Sequence, residues 1–103
     1  MKALPIGPGP RGDRPASAIL YDHPNARIVA FHLLPGQRVA EHRSPSTVTI
    51  HVTEGAGMFR GTDSECRLEA GQVAVFEPDE MHAIDAGAEP LRIVVVITPR
   101  PGA

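Results

Sequence analysis

Between Thr47 and Thr53 polar and apolar residues alternate without a break. Val48, Ile50 and Val52 fall on one face and Thr47, Thr49, His51 and Thr53 on the other. A period of two over seven residues predicts a strand with one buried side. Ile28-Val29-Ala30-Phe31 and the run from Leu91 to Ile97 are instead apolar on both faces for most of their length, so each needs cover on two sides. Further apolar segments of strand length stand at Ala18 to Tyr21, Met58 to Arg60, Cys66 to Leu68, Val73 to Phe76 and His82 to Ile84. Between them lie turn signals: Pro24-Asn25, Pro35-Gly36, Ser44-Pro45-Ser46, Gly55-Ala56-Gly57, Gly61-Thr62-Asp63, Ala70-Gly71 and Pro78-Asp79. Short strands at this spacing, with no helical period among them, predict an all-β fold, a small antiparallel sandwich or barrel.

Length and composition narrow this picture. At 103 residues the chain has room for one compact domain. Trp is absent and Phe and Tyr total four, so the core has to be built from Val, Ile, Leu and Ala, which suits strands. Residues 1–17 hold a Pro/Gly-rich stretch from Pro5 to Pro15 that lacks the backbone donors of a regular helix and is expected to form an extended arm. The barrel domain is then expected over residues 18–103. A barrel has one interior and one exterior, so a second subunit is the simplest cover for strands that are apolar on both faces. A homodimer is expected.

Charge and cysteine exclude several classes. Ten basic and twelve acidic side chains leave a formal charge of −2, and no like-charged run is long enough to grip a phosphate backbone or an anionic bilayer. Neither nucleic acid nor membrane is an expected partner. No stretch approaches the roughly 18 apolar residues of a membrane span, and no apolar secretory segment opens the chain. Cys66 is the single cysteine, which fits a reducing compartment, and a cytoplasmic setting is expected.

Candidate chemistry centres on His42 and His82. The first lies in Gly36-Gln37-Arg38-Val39-Ala40-Glu41-His42-Arg43-Ser44, a pattern that continues through Val48 to Gly55. The second closes Gly71 through Glu77-Pro78-Asp79 to His82. Together these stretches resemble the two motifs of the cupin superfamily, over roughly residues 28 to 98. In that pattern a glycine is followed after five residues by His-x-His, then by Glu and Gly. The register here puts Ser44 on the second histidine and Val48 on the glutamate. In the second pattern Asp79 stands where glycine is usual, a change Asp tolerates because it accepts a left-handed turn conformation.

The resemblance implies a jelly-roll barrel whose open mouth carries any site. Metal-binding cupins hold one Fe, Mn, Ni, Zn or Cu ion with two histidines, the glutamate and the later histidine. Residue by residue, His42 and His82 carry over as metal ligands, whereas Val48 cannot donate and Ser44 is a weak neutral ligand. One divalent transition metal, weakly held, is therefore the expected cofactor. Strand parity places His51 opposite Val48, Ile50 and Val52, outside the barrel. Ser44, Val48, Ile50, Val52 and Val75 are expected to line a ligand pocket, with Arg38, Glu41 and Glu80 at its rim and Arg43 also beside His42.

Two functions follow from different classes. One is a small-molecule-binding cupin barrel with a partial metal site at its mouth. The other is a metal-dependent cupin enzyme, dioxygenase-like or isomerase-like, acting on a small organic acid or phenol. A metal-free isomerase or epimerase with a histidine base has less behind it, because no acid partner accompanies the histidines.

Overall fold

Eight antiparallel strands make up the computed structural model, which describes residues 1–102. They are β1 (Ala16–His23), β2 (Ala26–Leu33), β3 (Arg38–His42), β4 (Thr47–Arg60), β5 (Glu65–Glu69), β6 (Val73–Phe76), β7 (His82–Asp85) and β8 (Leu91–Thr98). Among the described residues no helix is long and apolar enough to cross a membrane. Residues 1–15 form neither strand nor helix, and the arm gives way to β1 at Ala16, two residues earlier than expected. Ala103, the last residue of the expected domain, lies outside the described residues.

The strands curl into two facing layers that share β4. One layer runs β1-β2-β8-β4-β6 and the other β3-β7-β4-β5. Sharing is possible because β4 changes partners along its length. Thr47 to Gly55 pairs with β8 and Val48 to His51 with β6, whereas Ala56 to Arg60 pairs with β5 and Met58 to Arg60 with β7.

The change of layer occurs at Gly55. Its φ is 75°, and a Cβ built there would run into the carbonyl oxygen of Pro90, so both conformation and space require glycine. The sequence reading placed a turn at Gly55-Ala56-Gly57 between two strands. The backbone bends there without leaving the ladder, and the register shift between Val52 and Glu54 absorbs the bend. β3 was not expected as a strand, because Arg38-Val39-Ala40-Glu41-His42 carries a single large apolar residue.

One end of the barrel is filled. Leu33, Ile50, Leu91 and Ile93 are fully buried, and Val52, Phe59, Phe76 and Ala86 pack with them. The inward phase is uniform across the first layer: Val29, Val95 and Ile50 are in register, as are Phe31, Ile93 and Val52. Burying each of the large aliphatic side chains contributes roughly 1.5–3 kcal/mol. Aliphatic side chains joined by Phe59 and Phe76 thus form the core of a domain without tryptophan.

Candidate functional site

His42 and His82 are direct cross-strand partners on β3 and β7. Regular alternation from Val39, which faces the interior, would turn Glu41 inward and His42 outward. A register shift between Val39 and His42 adds one residue to β3 and reverses that parity, so His42 joins Val39 on the inner side. On β7 the alternation is undisturbed, and His82 and Ile84 both face inward.

The two imidazoles meet edge to face, with centroids 3.9 Å apart at 67° and Nε2 atoms 2.7 Å apart. His42 Nδ1 donates to the carbonyl of Ala40 at 3.2 Å and His82 Nδ1 to that of Glu80 at 3.3 Å. A carbonyl only accepts, so both rings carry their proton on Nδ1 and present bare Nε2 lone pairs to each other. Two such lone pairs repel unless a positive centre lies between them. Burial, and then the neighbouring His42, hold the pKa of His82 below its ordinary 6.5. That shift favours the neutral form of the His82 ring, whose Nε2 lone pair then faces His42.

These donors fit a divalent ion in part. Adjacent ligands at about 2.1 Å from an octahedral ion lie about 3.0 Å apart, and from a tetrahedral ion about 3.4 Å. The observed 2.7 Å is closer to the octahedral value. Donation of the remote ring N–H to a backbone carbonyl is also the usual support for a metal-bound histidine. A third protein ligand does not converge: among the described residues no group of three His, Cys, Asp or Glu side chains forms a site. Glu80 accepts from the backbone N–H of Glu77 at 3.0 Å, which turns its carboxylate toward the Pro78 turn. The Ser44 hydroxyl lines the interior and accepts from Ser46 N at 3.2 Å.

Below the pair lies a cavity of about 90 Å³ between the layers. Val29, Phe31, Val48, Ile50, Val95 and Ile97 line it from the first layer, and Val39, Ile84, Ser44 and the two histidines from the second. A cavity of roughly 150 Å³ admits benzene, so this interior takes a group smaller than a six-membered ring. On the solvent side His42 borders an open groove of about 610 Å³ with Glu41, Arg43, Thr62 and Met81. His42 is exposed and His82 is 3% exposed, so the pair forms the boundary between groove and cavity.

The structure redistributes the expected pocket residues. Ser44, Val48 and Ile50 line the cavity, joined by Val29, Phe31, Val39, Ile84, Val95 and Ile97, which the motif reading did not single out. Their parity with Val48 was the available signal. Val52 points inward but belongs to the filled end. Val75 is a correction: it pairs with Thr49 on the outer face and is 56% exposed. In Val73-Ala74-Val75-Phe76 both phases are apolar, so the sequence does not reveal parity, and Ala74 and Phe76 are the inward pair.

Arg38 lies away from the mouth, its Nε 3.3 Å from the Asp85 carboxylate. Glu41 lines the groove, and Glu80 meets the site through its backbone carbonyl. His51 is exposed, on the face opposite Ile50, as parity predicts. Asp79 has a φ of 67°, the left-handed conformation expected of it in the glycine position.

A family model described as Cupin domain matches residues 29–97. Two solved structures share the fold at comparable identity. An RmlC-like cupin protein from Desulfovibrio desulfuricans is 27% identical, with 96% of this chain and 97% of that one covered and a TM-score of 0.83. An uncharacterized conserved protein with a double-stranded β-helix domain from Klebsiella pneumoniae is 28% identical, with 88% and 82% covered and a TM-score of 0.81. No curated protein matches the chain. The two motif stretches, the paired strands that carry them and the matched span together make this chain a member of the cupin family.

Proposed function

We propose that this protein binds a small organic molecule at the barrel mouth, its apolar part in the cavity and its polar part at His42 and His82, with a weakly held divalent metal ion. The observation that carries the reading is the single polar end of an otherwise aliphatic interior: eight of the eleven lining residues are Val, Ile or Phe. Binding through a few polar groups at the edge of an apolar cavity is the ordinary design of a small-molecule site. The cavity volume limits the buried part to a few heavy atoms, and a larger ligand extends past His42 into the groove. The test is a thermal-shift series with short carboxylic acids and phenols, with and without divalent metal. A rise in Tm that follows ligand concentration supports binding. No response from any member, in protein that is folded, overturns it.

A second reading is favoured by the Nε2 spacing and the carbonyl support behind each ring, namely a metal-dependent cupin enzyme acting on a small organic acid or phenol. A bound ion would supply Lewis acidity to a ligand oxygen. The chain's own part is to present the Nε2 atoms of two imidazoles, hold each ring by its Nδ1 on a backbone carbonyl and exclude water with the apolar wall. Metal analysis after mild purification separates the readings. Stoichiometric Fe, Mn, Ni, Cu or Zn that is lost in a His42→Ala, His82→Ala double variant supports the enzyme; protein that neither retains nor takes up metal overturns it.

We further propose that the protein is a homodimer in a cytoplasmic setting, with neither nucleic acid nor membrane as a partner. Support for the dimer comes from β2 and β8, whose outward residues include the apolar Ile28, Ala30, Val94 and Val96.

A further inference from the structure

Arg43 is a cation without a carboxylate partner. Its guanidinium donates to the backbone carbonyl of Asp79 at 2.7 Å, and among the described residues no carboxylate forms an ion pair with it, whereas Arg38 and Arg60 share Asp85. A neutral carbonyl steadies the guanidinium and leaves its charge and its other N–H donors available to an anion. The side chain lines the open groove with His42 and Glu41, so that charge stands on the solvent side of the histidine pair.

The pair itself asks for the opposite polarity. The Nε2 atoms of His42 and His82 are 2.7 Å apart, and each ring is held by its Nδ1 on a backbone carbonyl. A ligand carboxylate set against these lone pairs is repelled, whereas the hydrogen of a hydroxyl or ammonium group is attracted. The cavity adds a third demand. If roughly 150 Å³ admits the six carbons of benzene, each takes about 25 Å³, and the 90 Å³ here holds three or four. Ser44 brings the one hydroxyl of the lining, and its oxygen already accepts from Ser46 N, so the enclosed group is a hydrocarbon.

Groove, pair and cavity follow one another, with His42 bordering both spaces. A single tetrahedral carbon carries a substituent for each. Resting on the small-molecule reading proposed above, we infer that the ligand is a carboxylic acid whose α-carbon bears a hydroxyl or ammonium donor and an alkyl group of three or four carbons. The carboxylate meets Arg43, the donor meets the two Nε2 atoms and the alkyl group fills the cavity.

Calorimetric titration of the chelator-treated full chain tests this, with α-hydroxyisovalerate and valine as probes; the probe that binds names the donor. It should bind at least tenfold more tightly than isovalerate, which lacks the donor, and than lactate or alanine, which lack two of the alkyl carbons. Arg43→Gln should weaken it about tenfold, with the primary amide of the same probe binding wild type and variant alike. Arg43→Lys keeps the charge and should retain most of the affinity, and circular dichroism confirms that each variant is folded. Isovalerate that matches the better probe overturns the donor contact. Lactate or alanine that matches it overturns the alkyl site, and an equal loss of acid and amide in Arg43→Gln overturns the carboxylate contact. Binding that appears only after nickel or manganese is added overturns the contact with the rings and leaves the small-molecule reading standing. Silence from both probes while another acid or a phenol raises Tm overturns the ligand class alone; silence from every compound overturns both.

Discussion

Arg43 donates to the backbone carbonyl of Asp79 at 2.7 Å, and Asp79 N–H donates to the carbonyl of Ser44 at 2.7 Å. These two bonds tie the loop after His42 to the turn before His82. The histidines are held together from both sides, by the β3–β7 ladder below and by this loop contact above.

Removing the contact should loosen the mouth more than the fold. Arg43→Ala is expected to cost about 1 kcal/mol, the usual worth of one such bond at an exposed site, and so to lower Tm by roughly 4–8 °C. Ligand and metal affinity should fall further than that stability loss accounts for. Arg38→Ala removes an exposed arginine paired with Asp85 instead and should leave both affinities unchanged. Calorimetric titration and thermal melting of the two variants check the contrast, and equal affinity losses would sink it.

The lowered pKa of His82 fixes the sign of an acid effect. Folded His82 releases its proton more readily than the unfolded chain does, so between the folded value and the ordinary 6.5 the unfolded state binds more protons and stability rises with pH. In chelator-treated protein, this contribution to stability should be level above pH 6.5, fall as pH drops below it, and level again once pH is below the folded pKa. Denaturant titrations across that range should show the loss in the wild type and a reduced one in His82→Gln.

Val48 stands where the cupin pattern has its glutamate, and its side chain lines the cavity at 3% exposure. Val48→Glu therefore offers the missing carboxylate beside the two imidazoles. Without metal, the uncompensated buried carboxylate should cost about 3–5 kcal/mol. Added nickel or manganese should recover much of that loss by binding the folded state. Melting curves with and without metal would show a far larger metal-dependent rise in the variant than in the wild type; no rise would mean that position 48 does not point at the pair.

At Gly55 the expected effect is on folding. A methyl group there meets the Pro90 carbonyl oxygen, and the residue must also hold a φ of 75°. Gly55→Ala should destabilise by more than about 2 kcal/mol, combining a left-handed penalty with backbone displacement. Gly71→Ala, where φ is 92° but nothing crowds the added carbon, should cost less. Equilibrium unfolding of the pair measures the difference.

The all-β class, the cupin family and the convergence of His42 with His82 were legible in the sequence. Each rests on local signals: alternation along Thr47 to Thr53, turn residues between apolar runs, and fixed spacings around two histidines. Such signals survive because side-chain direction in a strand and the conformation of a tight turn depend on near neighbours in the chain. Asp79 illustrates this, since its tolerance of a positive φ belongs to the residue itself.

Tertiary structure decided what depends on strands distant in sequence. The extra residue in β3 that turns His42 inward is defined only against β7, and the continuity of β4 through Gly55 only against β8 and β5. Val75 faces out because β6 is registered on β4; a four-residue strand apolar on both sides has no parity of its own. The cavity likewise arises from side chains of both layers, from Val29 on β2 to Ile84 on β7. Local pattern thus determined which residues become strands and which two histidines meet, and pairing register decided which other side chains surround them, because register is set by the partner strand and not by the segment itself.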